Sequence, residues 1–461
     1  MINRTVGQIA AILGIDCKEH QDVAISGVTI DSRKVNPGNL FVPFKGENAD
    51  GHIYVEKAIA KGAAAALWQK DVPNPPEGLP LLFVEDNLKA LQTLAEAYLQ
   101  STNAKVVGIT GSNGKTTTKD MTASILSQKY KVHKTEGNYN NHLGLPLTIL
   151  AMEEDTEVAV LEMGMSGKGE IELLSSLAKP DIAIITNIGE SHLLDLGSRE
   201  AIAEAKLEIT TGLKEEGLII YHGDEPLLVE KLSGSKWRTN CFGRDRDNTA
   251  YALEITAAND HTSCRLNLFE GELVIPVLGN HNVLNAMAAI LAAKELGVGY
   301  EMVKTGLSAL KLTNMRMEMV EGAQGEKIIN DAYNASPTAM RAAIDLIGAL
   351  SGFGHKILVL GDMLELGTKE IQFHQMIGQS IDAGSVDKLF TFGKLAAYIA
   401  EEAKAGLGEQ NVYAFQDKQL LIEELKKHVQ ANDLILVKAS RGMKLEEVVT
   451  ALQKKAEAKN S

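Results

Sequence analysis

Short apolar runs followed by longer stretches of helical spacing recur along the chain. Val106-Val107-Gly108-Ile109, Val158-Ala159-Val160-Leu161 and Ile182-Ala183-Ile184-Ile185 are uninterrupted and rich in β-branched residues, the pattern of strands buried on both faces of a parallel sheet. Beyond about residue 326 the alternation becomes regular. Strands are predicted at Lys327–Asn330, Lys356–Leu360, Lys388–Phe392, Asn411–Ala414 and Leu434–Lys438, each with a helix after it, which is a doubly wound arrangement. The first hundred residues are less regular. Thr5 with Gln8 three residues on opens a helix through Ile9, Ile12 and Leu13. Short strands are predicted over 24–28, 40–44 and 81–84, helices over about 54–62 and 87–100, and a loop where Pro73, Pro75, Pro76 and Pro80 cluster. The pattern predicts an α/β protein of three domains. These are a small α/β domain over 1–101, a central parallel-sheet domain over 102–314 and a Rossmann-like α/β domain over 315–461.

Composition narrows the classes. The 461 residues are 45% hydrophobic and 23% charged, ordinary for a globular protein with buried cores. A formal charge of −14 argues against general nucleic-acid binding and against attachment to an anionic membrane surface. Cys17, Cys241 and Cys264 are far apart and show neither metal spacing nor a disulfide framework. No apolar run approaches the roughly 18 residues of a membrane span. The opening residues read as a capped helix rather than a signal peptide. The expectation is a cytoplasmic protein without membrane insertion.

Candidate chemistry begins at Gly108-Ile109-Thr110-Gly111-Ser112-Asn113-Gly114-Lys115-Thr116-Thr117. A strand, a glycine-rich turn and a helix start are what a triphosphate needs, because backbone N–H groups and a helix N-terminus meet its oxygens. Lys115 can reach the β/γ-phosphates, and the Thr116 hydroxyl can sit on Mg²⁺. Gly111 stands two residues before Gly114 and Gly108 five before, so the loop is a variant of the strict phosphate-loop pattern. A glycine-rich turn can also serve packing alone; the Gly-Lys-Thr-Thr sequence favours the phosphate reading.

Further candidates lie at strand ends and on one helix. Glu162 ends a buried strand, where a direct or second-sphere Mg²⁺ ligand is expected beside a phosphate loop. His192 follows the next strand, as a ligand or as a structural loop histidine. A helix is predicted from Ser198 to about Leu213, with Glu204, Glu208, Thr211 and Glu215 on one face and Ile202, Lys206, Ile209 and Leu213 on the other. Lys206 in that apolar stripe either snorkels its head to water or is an amine kept neutral. A neutral amine is available as a base, a nucleophile or a site of carbamylation by CO₂. Asn280-His281-Asn282 opens an Ala-rich helix, as caps or as polar edges for a purine. Arg316, at a domain junction, fits a clamp on a γ-phosphate. Near the N-terminus, Asp31-Ser32-Arg33 and the turn beginning at Lys45 are either a phosphate clamp from Arg33 and Lys45 or turns with surface charges.

Taken together, Gly-Ile-Thr-Gly-Ser-Asn-Gly-Lys-Thr-Thr, Leu161-Glu162-Met163-Gly164, Ser191-His192-Leu193, Ala205-Lys206, Gly279-Asn280-His281-Asn282 and Arg316 resemble the Mur ligases, ATP-dependent amide-forming enzymes of peptidoglycan precursor synthesis. The resemblance covers essentially the whole chain. Gly137-Asn138-Tyr139-Asn140-Asn141-His142, Asp331-Ala332-Tyr333-Asn334-Ala335-Ser336-Pro337 and Gly361-Asp362-Met363-Leu364-Glu365-Leu366-Gly367 resemble the branch that adds a preformed dipeptide. Asn-Pro-Arg, typical of the enzyme adding the third residue, is absent, and Ser336 stands where Asn is common.

The resemblance implies that D-alanyl-D-alanine is joined to UDP-N-acetylmuramoyl-tripeptide by a monomeric enzyme. It implies ATP bound by Gly111, Ser112, Asn113, Gly114, Lys115, Thr116, Thr117, Asn282, Arg316, Asp331 and Asn334. Two Mg²⁺ ions are implied, one on Thr116 and Glu162, the other on His192 and a carbamate of Lys206. Ser32, Arg33, Lys45, Asn138, Asn140 and Asn141 would meet the UDP-linked substrate. Lys115, Glu162, His192, Lys206 and Arg316 would be catalytic. Asp362, Glu365, Ser440 and Arg441 are candidates to contact the dipeptide. Competing expectations are a sister ligase adding one amino acid, a folate polyglutamating ligase, and a nucleotide switch, against which the absence of Asn-Lys-x-Asp counts.

Overall fold

A computed structural model describes residues 1–46 and 50–454. Glu47, Asn48 and Ala49 of the polar turn, and the Lys/Glu-rich tail past 454, lie outside the described residues. The chain forms two compact units. One comprises Met1–Thr110, Lys129–Ala183 and Glu208–Ile219; the other comprises Gly111–Gln128, Ile184–Leu207 and the chain from Ile220 on. The division passes within the strands Ile182–Ile185 and Leu218–His222.

In the first unit the opening helix is Val6–Leu13. The Thr5 hydroxyl accepts from the Gln8 amide, the Gln8 side chain accepts from the Thr5 amide, and Gly14 at φ 66° ends the helix. A four-stranded parallel sheet joins Val28–Thr29, Leu40–Phe41, Ala65–Gln69 and Leu81–Val84. The predicted strand over 24–28 is broken at Gly27, whose φ of 79° turns the chain. Ala24–Ser26 pairs with Asn3–Thr5 instead of joining that sheet. The strand predicted over 40–44 stops at Phe41, short of Pro43, which has no N–H to donate. The helix predicted over 54–62 is a 3₁₀ turn, Gly51–Tyr54, and then Val55–Ala60. In a second sheet of this unit Val158–Glu162 pairs in parallel with Lys105–Thr110 on one side and Val132–Lys134 on the other. All five residues of Val158–Glu162 are buried, so the carboxylate that ends it is buried too.

In the second unit, Lys327–Asp331, Leu434–Lys438, Lys356–Gly361, Lys388–Phe392 and Val412–Phe415 form a parallel sheet in that spatial order, each strand followed by a helix. The doubly wound prediction holds. Leu358, Leu360 and Leu436 face one core, while Ile357, Val359, Ile435 and Val437 face another, the two-sided burial that continuous apolar strands signal. An antiparallel edge strand, Glu318–Glu321, is added to Lys327–Asp331; its charged ends hid it from an apolar-run search. An antiparallel meander of Ala250–Ala257, Thr262–Leu266 and Glu272–Ile275, with Arg238–Gly243 pairing in parallel with the first of them, was also unpredicted. Polar residues such as Glu254 and Arg265, paired across neighbouring strands, interrupt its apolar signal.

The predicted helix Ser198–Leu213 is shorter, Arg199–Leu207 with a 3₁₀ turn at Glu208–Thr210. Ile209-Thr210-Thr211 is a β-branched run unfavourable to helix, and the Thr211 amide closes on the Glu208 carbonyl at 3.0 Å. Thr211 and Glu215 therefore lie beyond the helix. Ile202, Lys206, Ile209 and Leu213 are nonetheless all buried. Among the described residues no helix is long and apolar enough to cross a membrane.

Gly212 supplies a test of this turn. A Cβ there would stand 2.0 Å from the Ser175 carbonyl oxygen, a backbone atom that cannot rotate away. Gly212→Ala should destabilise the protein by about 3 kcal/mol, read as a lower urea midpoint at unchanged slope. An unchanged midpoint would mean that the turn is not packed in this way.

Candidate active site

The phosphate-loop candidates all fall in the second unit. Gly111 has φ 147°, and a Cβ on it would meet the Thr186 hydroxyl at 1.8 Å; Gly114 has φ 80°, and its Cβ would meet the Asn285 side-chain oxygen at 2.4 Å. Both positions admit only glycine, which gives the off-pattern spacing a packing cause. The loop between them is pinned. The Ser112 amide donates to the Asn187 carbonyl at 3.0 Å and the Asn113 amide to the Asn187 side chain at 2.9 Å. The Gly189 amide donates to the Ser112 hydroxyl at 2.9 Å. Two of the amides expected to cradle phosphate are thus already engaged, and Ser112 and Asn113 have only side chains to offer a ligand. The Asn113 Nδ2 group is buried without a partner. The cradle narrows to the start of the helix Lys115–Leu126, which Gly114 caps with no side-chain hydrogen bond, leaving its first-turn N–H groups to an anion. The Lys115 ammonium donates to the Gly111 carbonyl at 2.8 Å.

A cavity opens beside this loop, lined among others by Asn113, Asn187, Asn282, Arg316, Asp331 and Lys438. Asn282 lies inside the helix Asn280–Glu295, whose N-cap is Gly279, so the capping role does not apply to it. Its Nδ2 donates to the Leu278 carbonyl at 2.7 Å and its oxygen accepts from Asn285 Nδ2 at 3.0 Å. Asn285 in turn accepts from the Thr118 hydroxyl at 3.3 Å. This polar chain ties the cavity wall to the phosphate-loop helix and leaves Asn282 one N–H for a ligand. The neighbouring His281 ring is held neutral by burial.

Asp331 ends the strand Lys327–Asp331 and accepts from the Met317 amide at 3.3 Å. It is ion-paired to Lys438, which also donates to the Asn334 carbonyl at 3.0 Å. Lys438, 2% exposed, was missed by sequence reasoning. The signal was present: a charged residue closing an otherwise apolar strand, as at Glu162. Arg316 Nη2 donates to the Thr116 hydroxyl at 3.4 Å, so these two candidates do meet.

His192, at φ 65°, has Nδ1 2.9 Å from the Glu365 carboxylate. The His192 ring beside it holds the Glu365 carboxyl below the usual carboxylate range. Asp362 and Ser440 are used inside the strand-end loops: Asp362 accepts from the Ala396 amide at 2.7 Å and the Ser440 hydroxyl from the Leu364 amide at 2.9 Å. Lys206 is 1% exposed, which excludes the snorkelling arrangement. Burial, then the charge of Lys115, pushes its ammonium well below the lysine range. The amine is favoured in its neutral form.

In the first unit Glu162 is 2% exposed. One oxygen accepts from Asn140 Nδ2 at 2.8 Å; the other is buried with no partner. A buried carboxylate oxygen left unsatisfied is costly, and a cation is the natural complement. Asn141 is a helix-start residue, its side-chain oxygen accepting from the Leu143 and Gly144 amides at 3.2 and 2.8 Å; Asn138 is exposed. At the N-terminal phosphate-clamp candidates the charged groups are paired. Arg33, 83% exposed, makes a bidentate pair with Asp31, and hydrogen bonds from Arg33 hold that carboxyl far below its usual range. Lys45 pairs with Asp71 at 2.9 Å. Ser32 accepts from Lys61 through its carbonyl at 3.1 Å. A cavity of about 350 Å³ here is lined by Asp31, Lys34, His133, Lys134 and Tyr139, and its two lysines were not anticipated.

Residues 109–293 match the family described as the Mur ligase middle domain, 315–441 the Mur ligase glutamate ligase domain, and 24–99 the Mur ligase family catalytic domain. The chain is 52% identical over 454 residues to the UDP-N-acetylmuramoyl-tripeptide–D-alanyl-D-alanine ligase of Bacillus subtilis (strain 168), covering 98% of this chain and 99% of that one. Among solved structures it resembles MurF from Acinetobacter baumannii, with a TM-score of 0.88 and 29% identity over 99% of this chain and 100% of the other. It also resembles MurF ligase from Thermotoga maritima in complex with ADP, with a TM-score of 0.81 and 29% identity over 93% and 97% of the two chains. With its phosphate loop, its buried lysine and three domain matches along its length, the chain belongs to the Mur ligase family.

Proposed function

We propose that this chain joins D-alanyl-D-alanine to UDP-N-acetylmuramoyl-tripeptide, with ATP as the energy source, in cytoplasmic peptidoglycan-precursor synthesis. The observation that carries the reading is the 52% identity, over nearly the whole chain, to a ligase of that name. The site chemistry is consistent with it. A terminal carboxylate oxygen of the tripeptide attacks the γ-phosphorus of ATP, the bond to the bridging oxygen breaks, and ADP departs. The dipeptide amine then attacks the acyl carbon of the mixed anhydride, phosphate leaves, and the amine gives up a proton.

Each residue has a task in this reading. The helix start at Lys115, with its uncapped first turn, binds the phosphates, and Lys115 and Arg316 offset charge as the carboxylate approaches. Asn282 reads the base with its remaining N–H, and Asp331, held by Lys438, meets the ribose. Magnesium would supply further charge neutralisation. In the second unit Thr116 and His192 are proposed to hold magnesium; in the first, taken by itself, the unpartnered buried oxygen of Glu162 suits a cation. Lys206 is the proposed carbamate. The neutral amine that burial favours is the form that adds CO₂, losing one proton and becoming an anionic oxygen ligand. Asn140 orients Glu162, and the cavity at Asp31, Lys34 and Lys134 is assigned to the UDP-linked substrate.

The substrate assignment is tested by ADP release with ATP, UDP-linked tripeptide and either D-alanyl-D-alanine or single amino acids. Release is expected with the dipeptide; release with a single amino acid alone would assign the chain to a sister activity. Lys206 supplies a second test. Because its folded-state affinity for a proton is depressed, the unfolded chain binds that proton more tightly, and stability rises with pH up to the ordinary lysine value near 10.5. In bicarbonate-free buffer Lys206→Met should be inactive yet more stable than the parent at neutral pH, by about 2 kcal/mol. The gap should narrow towards pH 10. An active variant, or a gap that does not change with pH, would contradict the assigned burial and role.

A further inference from the structure

Arg316 is held by an unusual local arrangement. The residues on either side, Met315 at φ 61° and Met317 at φ 52°, both lie in the left-handed region although neither is glycine. Such conformations persist only where surrounding contacts impose them. Here the Met315 amide donates to Glu318 at 3.0 Å and the Met317 amide to Asp331 at 3.3 Å. The side chain is treated differently from two other arginines of this unit. Arg199 pairs with Glu225 and Arg441 with Glu446, whereas no carboxylate pairs with Arg316 among the described residues. Its guanidinium carbon instead lies 4.0 Å from the centre of the Tyr333 ring. Nη2 touches the Thr116 hydroxyl, and Nε is buried without a hydrogen-bond partner.

An aromatic face and a carboxylate both attract a guanidinium, but they leave it in different states. A carboxylate occupies the N–H fork and cancels the charge. A ring below the plane fixes its orientation, leaving the charge and the N–H edge available to an anion. We propose that Tyr333 is a positioning residue: its ring is the shelf that sets the plane of the Arg316 guanidinium towards the transferring phosphate. The proposal rests on the reading that Arg316 acts on the γ-phosphate. Tyr333 follows Asp331 by two residues, so the strand end that places the ribose carboxylate also places the shelf.

The test is a double-mutant cycle on the full-length protein with ATP, UDP-linked tripeptide and dipeptide. Tyr333→Leu keeps bulk and removes the π face; it should lower kcat roughly tenfold while moving KM for ATP much less. Tyr333→Phe keeps the face and should restore most of kcat. In an Arg316→Ala background, Tyr333→Leu should cost nothing further, because a shelf acts only through what it carries. Melting temperatures of all four proteins identify any loss due to unfolding, and a Tyr333→Met variant replaces Leu if that one melts early. Full kcat in Tyr333→Leu, or losses that multiply in the double variant, would overturn the shelf. Unchanged kcat in Arg316→Ala alone would overturn instead the reading on which it rests.

Discussion

Un-neutralised positive charge is the constraint around which this fold is arranged. A carboxylate that must approach a triphosphate needs cations that no protein carboxylate has already cancelled, and a folded chain tends to cancel them. The second unit does both. Lys438 is buried against Asp331 and Arg199 lies against Glu225, where charge holds structure together. Arg316 instead lies over a ring, which leaves its charge in place, while Lys206 is buried as an amine that burial favours in its neutral form.

Rigid placement accompanies the charge. Glycines at 111 and 114 let Thr186 and Asn285 come within distances that no side-chain-bearing residue would allow. Asn187 holds the loop from below, and the Thr118–Asn285–Asn282 chain links it to the cavity wall. Donors fixed in this way need no reorganisation when charge develops, which is where preorganised sites gain most. In the first unit the same economy is visible on a smaller scale: Asn140 holds one oxygen of Glu162, and the other is buried without a partner.

The legible parts were those in which the chemistry is local. Strand–helix alternation after residue 326, the capping box at Thr5, the phosphate loop and the acid closing the strand Val158–Glu162 are each written in a few consecutive residues. The buried stripe through Lys206 was legible too, although the helix carrying it ends at Leu207 because of a β-branched run whose weight was underestimated. What escaped depends on distant partners. Nothing near Ser112 and Asn113 says that Asn187 will take their amides, and nothing near Lys45 says that Asp71 will pair with it. Lys438 gains meaning only beside Asp331, more than a hundred residues away. The strands between 238 and 275 express their pairing through cross-strand neighbours, which a one-dimensional pattern does not record.

In the proposed reaction the tripeptide carboxylate becomes phosphorylated before the amide forms. If it does, one oxygen of that carboxylate leaves with the phosphate. The direct measurement is to label the terminal carboxylate of the UDP-linked tripeptide with ¹⁸O, run the reaction with ATP and dipeptide, and analyse the released inorganic phosphate by mass spectrometry. The account predicts one ¹⁸O atom in each phosphate formed. Phosphate without the label, released together with the amide product, would contradict it.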